Sequence, residues 1–128
     1  MRVMFVLALS TQAQTLQHVE RIFSDQIAGI TSLTDVPQFV DSARSGKWTV
    51  FVVDHDLLKS QFEDPLDFIR QLPPDAQFIF IGSHSFCEWH EQLRTAGAIV
   101  LHKPNTVGEF GIALRKLAAD STRRKQAS

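Results

Sequence analysis

Asp54 closes an apolar run, Thr49 to Val53, and Asp56 follows two positions later. Lys103 follows a second such run, Ile99 to Leu101, and stands before Pro104. A carboxylate ending one strand and an ammonium ending another meet where parallel strands present their carboxyl ends, and the plain chemistry of such a pair is a static ion bridge. Asp54 and Asp56 are two apart, so extended backbone would point them to opposite sides. His84, Cys87 and His90 have the spacing His-x2-Cys-x2-His, with His102 as the other local candidate. Zinc would need a loop and a helix to converge and a fourth ligand to join, and no second cysteine is nearby, so metal binding is not expected. Ser10, Thr11 and Thr15 could face a phosphate after the first apolar run. The stretch lacks the glycine that lets backbone approach an anion, which leaves helix capping as its role.

These residues need a frame, and the hydropathy pattern supplies one. Four short runs are apolar almost throughout: Val3 to Leu9, Thr49 to Val53, Phe78 to Ile81 and Ile99 to Leu101. Such runs read as strands buried on both faces, the mark of a parallel sheet. Ala28 to Leu33 is more polar and reads as a fifth strand near an edge. Between them lie five segments of helical period with start signals. Thr11 to Gln14 has capping-box spacing, Asp35 precedes Val36-Pro37, and Asp64-Pro65 is a cap with a first-turn proline. Ser85 opens a fourth helix that stops at Gly97, and Thr106 to Glu109 is a capping box for the fifth. The order is (βα)5, an open doubly wound sheet. In such a sheet ligands bind at the carboxyl ends of the strands, where Asp54 and Lys103 face one crevice.

A chain of 128 residues suits one domain, here 1–120, with 121–128 as a polar tail or the start of a linker carrying Arg123, Arg124 and Lys125. Thirteen Lys and Arg against fourteen Asp and Glu give a net charge of -1. That leaves no basic excess for nucleic-acid binding. A single cysteine cannot form an internal disulfide, the first apolar run is too short for a signal peptide, and no stretch approaches the ~20 apolar residues of a membrane span. The expected compartment is the cytoplasm.

From about Arg2 to Ala119 the chain resembles the receiver domain of bacterial two-component response regulators. The resemblance rests on Asp54 closing an apolar third strand, on Asp64-Pro65-Leu66-Asp67-Phe68-Ile69-Arg70-Gln71-Leu72 as the third helix, and on Gly97-Ala98 leading into a fifth strand that ends in Lys103-Pro104. It implies a flavodoxin-like (βα)5 fold with strand order 2-1-3-4-5. It also implies Asp54 as the aspartate phosphorylated by a histidine kinase and Lys103 as the contact to the phosphoryl oxygens.

By the same resemblance Leu7 and Ala8 stand where the family carries the acidic pair that holds Mg²⁺, and neither can ligate a cation. Gly82 stands where the family has a Thr or Ser, with Ser83 one residue on, and Val100 replaces the usual aromatic switch residue. The expectation is a degenerate, pseudo-receiver module without cofactor, acting through protein contacts. The alternative is a working phosphoacceptor in a phosphorelay, modified on Asp54 with Mg²⁺, and a flavin carrier of the same architecture ranks third. An enzyme of independent turnover is not expected, since the sequence has neither a nucleophile elbow nor a Walker glycine loop. The implied contact surface is the fourth helix, fifth strand and fifth helix, with Trp89, Leu93, Val107 and Phe110 as candidates for a homodimer or for docking an output domain or partner.

Overall fold

The computed structural model describes residues 4–58, 65–73, 77–82, 90–103 and 107–127. Five parallel strands form one sheet in the order β2-β1-β3-β4-β5: β1 Met4–Leu9, β2 Ile27–Leu33, β3 Val50–Asp54, β4 Gln77–Gly82 and β5 Ile99–His102. The helices are α1 Ala13–Ile22, α2 Val36–Ala43, α3 His55–Leu58, α4 Pro65–Ile69, α5 His90–Thr95 and α6 Val107–Ala127. This is the doubly wound architecture, and its strand order is the one expected.

Alternation along each strand builds two core layers. Leu7 and Leu9, Phe51 and Val53, and Phe78 and Phe80 face one side, where they meet Val36, Phe39 and Val40 of α2, Phe68 of α4 and Leu93 of α5. Met4, Val6 and Ala8, Val50 and Val52, and Ile79 and Ile81 face the other, against Leu16 and Val19 of α1 and Phe110, Ala113, Leu114 and Leu117 of α6. Both sides of β1, β3 and β4 are therefore apolar, which is why these strands read as unbroken runs. Phe39 knits its layer together, stacking on Phe68 at 5.7 Å and meeting Phe51 edge-on at 5.9 Å.

β2 and β5 lie at the two edges, as the expected strand order requires, but the four residues of β5 are all half-buried rather than enclosed on both faces. The helix starts also depart in detail. Thr11 does not cap α1: the N-cap position is Gln12, without a side-chain cap bond, and the Ser10 Oγ accepts the Gln12 N–H at 2.9 Å in a turn just ahead of the helix. Asp35 caps α2 as expected, accepting the Gln38 N–H at 2.9 Å. Gly97, at φ 94°, ends α5: its N–H reaches the Arg94 carbonyl and the Ala98 N–H reaches that of Leu93, closing the helix in a Schellman motif. The proposed caps Asp64, Ser85 and Thr106 lie outside the described residues. The backbone of α6 continues to Ala127, so most of the expected tail is helical. Among the described residues no helix is long and apolar enough to cross a membrane.

Candidate functional site

The carboxyl end of β3 is a buried carboxylate with a cation beside it. Asp54 is the last residue of the strand and is almost fully buried. Lys103 follows β5, and its backbone N–H donates to the Gly82 carbonyl at 2.9 Å, which ties the lysine to the end of β4. From there its Nζ donates to Asp54 Oδ1 at 3.0 Å and Oδ2 at 2.8 Å. Parallel strands bring their carboxyl ends to one edge, so two residues 49 positions apart meet there.

Asp56 joins the same cation. Its Oδ2 accepts from Lys103 Nζ at 2.9 Å. Extended backbone would have turned it away, but the chain coils into α3 directly after Asp54. Asp54 caps that turn, its Oδ1 accepting the Asp56 N–H at 3.0 Å. The helical bend brings both carboxylates to one side, where a single ammonium faces both. The pattern Asp54-His55-Asp56-Leu57-Leu58 carried the signal in retrospect: a capping residue, an acid in the first turn and then apolar residues.

The electrostatics follow from this packing. Burial acts to lower the pKa of Lys103, yet the hydrogen bonds and charges of Asp54 and Asp56 outweigh it and hold the ammonium above its ordinary value of 10.5. The cation is thus fixed in its charged form between two acceptors.

Magnesium, the ion the receiver resemblance implies, does not fit these residues. The register of β1 against β3 sets Leu7 beside Phe51 and Ala8 beside Val52, each inside a core layer, while Leu9 stands beside Val53. The level of Asp54 is therefore reached by Leu9 and Ser10, and the Ser10 hydroxyl is engaged with Gln12. Neither pair offers a carboxylate, and Asp54 and Asp56 both bond to Lys103. A hard divalent ion wants an octahedron of oxygens, and the described residues of this edge supply too few. Among the described residues no group of three or more His, Cys, Asp or Glu could hold a metal.

The remaining candidates are placed unevenly. Ser83, His84, Cys87 and Trp89 lie outside the described residues, as does the side chain of His90. His102 ends β5 and is half-buried. Gly82 contributes its carbonyl to the Lys103 amide. Val100 is half-buried against the layer that contains Phe39. Leu93 and Phe110 are fully enclosed, one in each core layer, so neither is available as the contact residue anticipated from the sequence. The helical period that marked them as a face marked the inward one. Val107 is half-buried at the start of α6.

Comparison with known proteins gives the fold a class. No protein-family model matches the chain, and no curated protein matches it. Solved structures do. A response regulator receiver domain protein from Clostridium thermocellum superposes with a TM-score of 0.69 at 16% identity, covering 98% of this chain and 100% of that one. NtrX from Brucella abortus, solved in complex with ATP, gives 0.69 at 19% identity over 98% of this chain and 29% of its own. A structure described as adenylate cyclase from Rhodopirellula baltica gives 0.67 at 14% identity over 98% and 96%. The chain has the flavodoxin-like fold of response regulator receiver domains.

Proposed function

We propose that this chain is a receiver-like signal-transduction module that works through protein contacts, with Lys103 as the resident counter-cation of Asp54 and Asp56. One observation carries the reading: the ammonium occupies both carboxylates at the strand-end crevice, and the β1 residues level with them bring no acid. Phosphoryl transfer depends on positioning and on neutralising charge around the transferred group, and a metal ordinarily supplies much of that. A site held closed by its own lysine is a structural feature before it is a reactive one. In NtrX the same fold accounts for 29% of a longer chain. The partner of this domain is accordingly proposed to be a fused or separate output protein, met through α5, β5 and α6, with Val107 at that surface.

The test is incubation with acetyl phosphate and Mg²⁺ followed by intact-mass measurement, with Asp54→Asn as control. The expected result is an unchanged mass in both proteins. A gain of one phosphoryl group in the wild type alone, with acetate released, overturns this reading and establishes the phosphoacceptor alternative.

A further inference from the structure

β2 is the longest strand of the sheet, seven residues from Ile27 to Leu33, and it lies at an edge. It contains no charged residue and no proline. Edge strands of that kind pair readily with other chains unless something covers them. Along a parallel strand the backbone groups of successive residues point alternately to the two neighbours. The Leu33 carbonyl accepts the Ser10 N–H beyond β1, so Leu33, Thr31 and Gly29 address β1 while Ser32, Ile30 and Ala28 address the open side. On that open side the Ile30 N–H donates to Glu20 Oε2 at 3.3 Å. Glu20 reaches it from α1 across a groove of about 250 Å³ lined by Leu16, Gln17, Ile30 and Ser32.

We propose that the free edge of β2 is a pairing surface for β2 of a second copy of this chain, and that Glu20 is the gate that opposes the pairing. A two-fold axis at Ile30 would set the two strands antiparallel, with each Ile30 exchanging N–H and C=O with its counterpart. Because the strand is uncharged, no like charges meet across the axis, which favours a second copy over a strongly charged foreign strand. While Glu20 holds the Ile30 amide, that central bond pair cannot form. The two sheets would join into one only when both carboxylates swing aside. This surface is on the opposite edge from the face proposed above and does not depend on that proposal.

Sedimentation over a concentration series tests it on the wild type, Glu20→Ala and Glu20→Gln. Freeing the Ile30 amide raises the association constant by about tenfold for each of the two Glu20 side chains in a dimer. Glu20→Gln, which keeps an acceptor, shifts it less and carries the same test if the alanine variant fails to fold. Adding Thr31→Lys, at an exposed position, returns the Glu20→Ala protein to monomer. Amide exchange at Ile30 in Glu20→Ala slows as concentration rises. A folded Glu20→Ala that stays as monomeric as the wild type, or a dimer indifferent to Thr31→Lys, overturns the proposal.

Discussion

The Asp56 carboxylate lies 2.9 Å from the Lys103 ammonium, on the same side as Asp54, because the backbone leaves the strand for a helical turn at His55. One cation therefore balances two acids, of which Asp54 is almost fully buried. An isolated surface bridge contributes little, but removing the cation here leaves a desolvated carboxylate without its partner.

Lys103→Met is expected to cost about 2–4 kcal/mol, reaching below the range of about 3–5 for a broken buried pair because the lysine keeps 27% of its side-chain exposure. Urea unfolding measures it. Adding Asp54→Asn to Lys103→Met should recover part of the loss, since the amide removes the stranded charge. A double variant no more stable than Lys103→Met would show that the carboxylate is not what the lysine neutralises.

The alkaline limb of the stability profile should carry the same signature. With its folded pKa above 10.5, Lys103 contributes stability that is complete below that value and fades as pH rises through the folded pKa. Above about pH 10 the urea midpoint of the wild type is expected to fall more steeply than that of Lys103→Met. Parallel curves for the two proteins would contradict the assignment.

Leu93→Ala should behave as a core substitution rather than as an interface one. Its side chain is fully enclosed in the layer with Phe39 and Phe68, so a loss of about 2–5 kcal/mol is expected. The oligomeric state measured by light scattering should not change at concentrations where the variant is folded.

Gly111 of α6 packs against Phe23, the C-cap residue of α1: a Cβ there would overlap the Phe23 ring, over which the Arg115 guanidinium lies at 5.1 Å. Gly111→Ala is expected to destabilise by about 1 kcal/mol, the clash outweighing the better helix propensity of alanine. In a Phe23→Ala background the clash is gone and the same change should stabilise by about 0.5–1 kcal/mol. The reversal of sign in thermal melts is the diagnostic.

Asp35→Ala removes the acceptor of the Gln38 N–H at the start of α2 and should cost about 1 kcal/mol. Asp35→Asn keeps a side-chain oxygen and should cost a few tenths. Equal losses for both would place the contribution elsewhere than in the cap.

By itself the sequence determined the strands, the alternation of strand and helix, and the delivery of Asp54 and Lys103 to one edge. Those features are local: an apolar run fixes a strand buried on both faces, and parallel strands must present their carboxyl ends together. The pairing order could be named only through resemblance, and the structure supplies it directly. What only the tertiary structure decided was how side chains meet across long separations. Asp56 joins Lys103 because a bend, invisible to a reading that extends the strand, rotates it by less than one helical turn. Leu7 and Ala8 fall inside the core, and Leu9 and Ser10 reach the level of Asp54, because register is set by packing between strands rather than by position within one. Leu93 and Phe110 are interior because a helical stripe reveals that one face is apolar without saying what covers it, and here the sheet does.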